Sequence, residues 1–446
     1  MATPTNVLQQ VQTYQRSNLA YLQNLNCFVS KICNTKFKDF QNIQANLGSS
    51  VTFDLPPRFS TINGLVAQFQ PSVQRVQTLS VDQAKNTSYS FTAQERIFNV
   101  DKDTESYMME FGKSAMQNLA IPVEASIAMN LTSSVPVYDA NSNPTGALHT
   151  ESGPYRFYGD GVTVINSYQQ LAEMIANFKN YGAVSDGLKV VLSDLMIPAI
   201  IGTGLNQFAQ NRNNKDAMSW EVGPFGTPPV DYFISNLLPV HVSGSVGNAS
   251  PTATPNNQLT LISTNDPTGA NITQLTLSGA TASDANAIKS GDMFQFVDNV
   301  SAKPNMRYLT FMGNVPCGQP VQCRVLNDAA ADSSGNVVIN IFPALQSTPG
   351  ATQNLNNALQ AGMKIQVLPT HRAGLVVGGN AFYLAMPKLP PQDPYASSSE
   401  YDNATGVSMR MTYGSLFGQN QMGMIHDVIW GSVLVPEYSM RIIIPV

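Results

Sequence analysis

Apolar residues recur every four positions across residues 103–133. Tyr107, Phe111, Ala115, Leu119, Val123 and Ile127 make one stripe, widened by Met108, Met116 and Met129. That period belongs to one face of an α-helix. Asp103 stands at the N-cap position, and Glu105 falls in the first turn, at the positive end of the helix dipole. Pro122 removes a backbone donor and is expected to kink the helix. At 1.5 Å per residue the element spans roughly 40 Å, long enough to carry β elements along it. Phe111, Leu119, Val123 and Ile127 are its expected core.

The pattern on either side is different. Residues 6–32 repeat apolar positions three or four apart, with Asn6 and Gln9 as a capping box, and read as an N-terminal helical arm. From residue 48 the period becomes two. Val51, Phe53 and Leu55 alternate up to Pro56-Pro57, and a polar stretch leads to a second alternating run over 74–81. Tyr89 and Phe91 alternate next. These features predict an extended β-hairpin over 48–100, weakly apolar on both faces. A two-stranded ribbon is marginal alone in water. A neighbouring subunit is the expected support, contacted through Phe53, Leu55, Phe59, Leu65, Phe69, Val76 and Leu79. The alternative is a ribbon folded onto its own chain.

After a Pro/Gly/Asn-rich connector, Leu171, Met174, Ile175 and Phe178 mark a second helix over 167–181, capped by Ser167 with Gln170 and ended near Gly182. A short buried strand is expected at 188–192, followed by a helix near Ile197-Pro198. Residues 101–243 therefore read as a compact α+β core. Near 242–257 the composition turns to Ser, Gly, Pro, Thr and Asn, and the chain beyond is nearly all β. Strands are expected at 258–263, 272–277, 293–297, 308–312, 321–325, 337–342 and 364–368, with a turn at Asp332–Asn336. Short strands at this spacing suit a small barrel or sandwich, so 244–369 reads as an inserted β domain. Residues 370–446 return to the core, with strands at 375–377, 382–386, 408–413, 426–435 and 440–446 and a Pro/Ser loop over 387–401. The apolar ending Arg441–Val446 must be buried in a sheet or an interface.

Composition narrows the function. Of 446 residues only 12% are charged while 43% are hydrophobic, and the net charge is −5. This excludes a disordered polymer and a polybasic nucleic-acid binder, and it suits broad protein–protein surfaces where few charges need desolvation. No run of 18 apolar residues occurs, and the first residues lack the apolar centre of a signal peptide, so no membrane span and folding in a cytosol are expected. Cys27, Cys33, Cys317 and Cys323 are then expected as free thiols. Their spacings are wider than those of a four-cysteine zinc site.

Catalytic chemistry finds little footing. His149, His241, His371 and His426 show no metal-ligand spacing. His426-Asp427 is the one adjacent His–carboxylate pair, and on a strand its members face opposite sides. There is no G-x-S-x-G elbow and no phosphate-binding G-x-x-x-x-G-K-[ST] loop. No cofactor, metal or catalytic residue is expected.

The order of elements resembles that of tailed-phage major capsid proteins of the Hong Kong 97-type fold, most closely the podovirus branch with an insertion domain. Thr52-Phe53-Asp54-Leu55-Pro56 is similar to the first hairpin strand of that branch. Lys289-Ser290-Gly291-Asp292, followed by Met293–Phe296, resembles a strand start in its insertion domain. Trp430-Gly431, Val433 and Pro436-Glu437 resemble its closing segment. The apolar helix with Pro122 departs from the charge-rich helix of that branch. The resemblance implies an α+β fold in which the hairpin overlaps an adjacent subunit, residues 103–133 form a spine helix, and the inserted domain braces the whole. It also implies a structural protein of the virion, assembled in the host cytoplasm into hexamers and pentamers around double-stranded DNA that it does not read by sequence. Scaffolding and portal proteins, and optionally a decoration protein, are the implied partners. Two other readings are a β-rich adhesin or tail-fibre module and a cellular nanocompartment shell of the same fold.

Overall fold

A computed structural model describes Ile32 and residues 35–36, 50–55, 75–92, 104–132, 152–182, 187–200, 230–249, 257–311, 313–379, 381–392, 396–401, 407–416 and 421–446. In chain order, β1 (Ser50–Leu55), β2 (Arg75–Ser80) and β3 (Gln83–Thr92) precede the long helix α1 (Thr104–Thr132). Then come β4 (Phe157–Tyr158), α2 (Tyr168–Asn180), β5 (Lys189–Ser193), β6 (Asp231–Ser235) and β7 (Val240–His241). Six barrel strands come next: β8 (Gln258–Thr264), β9 (Ile272–Ser278), β10 (Met293–Phe296), β11 (Gln322–Val325), β12 (Asn336–Leu345) and β13 (Lys364–Val367). The chain closes with β14 (His371–Val377), β15 (Phe382–Ala385), β16 (Ala396–Tyr401), β17 (Ser408–Leu416), β18 (Gln421–Leu434) and β19 (Ser439–Pro445). The described residues are thus β-rich with few helices, where the sequence predicts a more even α+β balance.

Two mixed sheets make the body. In the first, the 14-residue β18 is the axis. Its first part is held between β17 and β3, and its last residues pair with β15. Thr35–Lys36, beyond the arm, adds a short parallel strand on β15. The second sheet runs β4, β19, β14, β5, β6, with β7 also on β14. The apolar ending is therefore buried as β19, whose residues 439–444 are all buried between β14 and β4.

Helix α1 lies on this body as one continuous element through Pro122. Leu119, Val123 and Ile127 are buried in the main core, with Met116, Ala120, Ala128 and Leu131 beside them. Ala120 and Ala128 stand among the larger side chains of this face. Helix α2 starts as its sequence predicts: Ser167 Oγ accepts from the Gln170 backbone N–H at 3.2 Å, and Gln170 Oε1 accepts from the Ser167 N–H at 3.3 Å. Gly182, at φ +74°, takes the left-handed position just after it.

Residues 258–367 form a closed barrel in the order β9, β12, β11, β10, β13, β8. Its inward positions, among them Leu259, Leu275, Phe294, Ile339, Ile341 and Ile365, are fully buried and fill the interior. The turn before β12 is built by Asp332, whose Oδ1 accepts from the N–H groups of Ser334 and Asn336, each at 2.8 Å. One strand is unexpected. Ala396–Tyr401 lies in the stretch that the sequence predicts as a loop, yet it pairs along its length with β17. Its Ser-rich sequence has no apolar alternation because it is an edge strand held by backbone hydrogen bonds. The N-terminal arm over 6–31, Cys27 and Cys33, Asp103 and the side chains of residues 104–109 lie outside the described residues.

Candidate subunit-contact surfaces

Strands β1 and β2 form a six-residue antiparallel stem, from Ser50 opposite Ser80 to Leu55 opposite Arg75. Alternation gives the stem two faces. One carries Val51, Phe53, Leu55, Leu79, Gln77 and Arg75, and this face rests on the chain's own body. Leu79 is fully buried with Ala385 and Val433, and Phe53 and Val51 pack against the same cluster. Gln77 Nε2 donates to the Leu434 carbonyl at 3.4 Å. Gly431 leaves the room for this approach, because a Cβ there would run into the Ser80 carbonyl oxygen. Arg75, at the root of the loop, pairs with Glu437, and its guanidinium lies 5.7 Å from the centre of the Phe311 ring.

The opposite face of the stem is open. Val76 is 49% exposed, and the hydroxyls of Thr52 and Thr78 meet across the strands at 3.3 Å. Of the seven hairpin residues expected to touch a neighbour, Leu55 and Leu79 are buried in their own chain and Phe53 is half-buried there. Val76 remains available, and Phe59, Leu65 and Phe69 lie outside the described residues. Alternation correctly separates the two faces, but it does not say which body covers one of them. One face of the stem packs on its own chain and the other is open.

Phe111 also departs from its expected place. It is 39% exposed at the margin of the α1–β3 contact, 5.2 Å from the Phe91 ring and 6.2 Å from that of Tyr89. Leu119, Val123 and Ile127, further along the helix, are buried.

Beyond the stem, a shallow cavity of about 470 Å³ opens on the outer face of the first sheet. Gly414 stands opposite Gly423, and Gly423 opposite Ser90, so three neighbouring strands carry almost no side chain there. Further apolar groups are open on the second sheet, where Tyr232 and Ile234 of the edge strand β6 are 41% and 54% exposed.

Titratable groups are placed for packing. His426 is fully buried against Tyr89, with ring centres 5.8 Å apart, and burial pushes its pKa down to about 4. Asp427 points the other way, to Arg410 at 2.7 Å, as expected for neighbours on a strand. His241 has a carboxylate partner that sequence reasoning missed: Asp292, 51 residues away, at 2.7 Å. No adjacency or short motif signals that pair. Cys323 is buried within the barrel and Cys317 is half-buried. Among the described residues no group of three or more His, Cys, Asp or Glu is placed to hold a metal ion, and no helix is long and apolar enough to cross a membrane.

No protein-family model and no curated protein matches the chain. Among solved structures, it is similar to the capsid of cyanophage P-SCSP1u, at 10% identity over 92% of this chain and 86% of that one, with a TM-score of 0.38. A structure from Mycobacterium phage Che8 aligns at 9% identity over 92% and 89% of the two chains, TM-score 0.40. The capsid of Ralstonia phage GP4 aligns at 10% identity over 92% and 87%, TM-score 0.38.

Proposed function

We propose that the chain is the major capsid protein of a tailed bacteriophage, with a Hong Kong 97-type fold, and that it self-assembles into the icosahedral shell around double-stranded DNA. The observation that carries this reading is the order of the parts. A hairpin stem, Ser50–Leu55 with Arg75–Ser80, is anchored on the body. A single 29-residue helix comes next. Two sheets form the body, and a closed barrel sits between two of their strands, β7 and β14. This is the arrangement that the sequence resemblance implies.

On this reading the loop beyond the stem reaches an adjacent subunit, α1 is the spine, and the barrel braces the molecule. The open stem face and the exposed apolar residues of β6 are surfaces for neighbouring copies, and low charge keeps the desolvation cost of such contacts small. The protein is structural and not an enzyme. Its partners are further copies of itself in hexamers and pentamers, a scaffolding protein, a portal, packaged DNA bound without sequence recognition and, optionally, a decoration protein.

The test is expression with a scaffolding protein from the same genome, followed by electron microscopy. Closed shells of uniform size are expected. A product that stays monomeric under every assembly condition overturns the proposal.

A further inference from the structure

The chain leaves the body for the barrel at His241 and returns at His371, and these two residues face each other in the β7–β14 ladder. Their rings lie 5.4 Å apart at the seam between barrel and body. His241 Nε2 donates to Asp292 Oδ1 at 2.7 Å, just before barrel strand β10. The other oxygen of Asp292 accepts from the backbone N–H groups of Lys289 at 2.8 Å and Gly244 at 3.2 Å.

His371 is arranged differently. Its Nδ1 lies 2.7 Å from the Pro369 carbonyl, which can only accept, so Nδ1 carries the proton. In the neutral ring, Nε2 is then a lone-pair acceptor, and Arg441 Nη1 faces it at 3.5 Å. That guanidinium is fully buried and holds three parts of the molecule together. It donates to Gly291 of the barrel at 3.2 Å and to the carbonyl of Thr132, the last residue of α1.

We propose that this cluster is an acid-sensitive lock between barrel, long helix and body: a proton taken up at His371 Nε2 turns the acceptor facing Arg441 into a second donor, and the barrel seam opens. The groups acting on His371 are named by the packing. Arg441 comes from β19 and His241 from β7. One layer further lie Asp292 ahead of β10 and Arg324 on β11, which bears on Arg441. Burial brings the Arg324 and Arg441 guanidinium groups down to about 9, so both stay charged at neutral pH. Burial, then Arg441, then His241 hold the His371 imidazole well below its usual range. A seam where Arg441 and Arg324 already stand near one buried carboxylate accepts a further positive charge at His371 only by moving apart. This inference does not rest on the proposed function.

Hydrogen exchange of the full chain between pH 7 and pH 4.5, corrected for the intrinsic pH dependence of exchange, tests it. Protection in peptides covering 239–246, 287–293 and 369–374 should fall about tenfold per pH unit below about 6.5, as expected for one proton bound by the open state only. The barrel strands 272–278 and 336–342 should stay protected. The His371→Gln variant, with an acceptor for Arg441 but no proton to gain, should lose this slope. Seam protection that is independent of pH, or that disappears together with the barrel strands, overturns the proposal with the wild-type protein alone. A folded His371→Gln variant with an unchanged slope overturns it as well.

Discussion

The rings of Phe53 and Tyr383 lie 4.3 Å apart, tilted by 32°. This contact sets the first strand of the hairpin stem on a body strand more than three hundred residues later. The stem is therefore part of the core, and its outer face, with Val76, stays open.

Leu79→Ala should cost about 2–5 kcal/mol, the range for a buried leucine that leaves a cavity. Val76→Ala, on the open face, should change stability by no more than about 0.5 kcal/mol and should reduce shell yield. Urea unfolding of the soluble chain checks the first effect, and particle counts by electron microscopy check the second. Equal stability losses at the two positions would contradict the described faces.

Replacing residues 58–72 by a short Gly/Ser linker keeps the stem. This variant should fold with an unchanged urea midpoint and form no closed shells. Extending the deletion through Lys85 removes Gln77 and Leu79 and should lower the midpoint as well. Normal particles from the shorter replacement would refute the role given to the loop.

Along α1, position decides the outcome. Val123→Asp buries an unpaired charge and should cost more than about 4 kcal/mol, leaving insoluble protein. Phe111→Asp, at the exposed margin, should cost less than about 2 kcal/mol and remain soluble. Soluble yield and thermal midpoints separate the two variants.

His426 should make the fold acid-sensitive. Its folded-state pKa, about 4, lies below the usual value of 6.5, so the unfolded chain takes up the proton first as pH falls. The contribution is present above pH 6.5 and is lost as pH drops toward 4, reaching about 3 kcal/mol. His426→Phe keeps a ring beside Tyr89 and should remove about one proton from the slope of stability against pH in that window. Urea titrations at several pH values measure that slope. An unchanged slope would show that His426 does not titrate in this range.

Much of the local architecture is legible in the sequence because it is written at short range. The Ser167–Gln170 box, the Asp332 turn, the barrel strands and the inward run Leu119, Val123 and Ile127 each need only neighbours within a few residues. Three features are not legible, for one shared reason. Alternation assigns Leu79 to a face but does not name Ala385 and Val433 as what covers it. Asp292 meets His241 only once the barrel has closed. The strand Ala396–Tyr401 is held by the backbone of β17, to which side-chain pattern is blind. Phe111 departs for a related reason: helical period puts it on the stripe but does not show that Phe91 and Tyr89 of β3 cover it only in part.

The meeting of His241 with His371 has a consequence for how such a chain can vary. The exit and the return are adjacent in one ladder, about 5 Å apart, so the body can host an insert of any length without altering its own path. The freedom is conditional. A replacement cassette must supply a carboxylate for His241 and a carbonyl for Arg441, as Asp292 and Gly291 do now, or it strips both buried side chains of a polar partner.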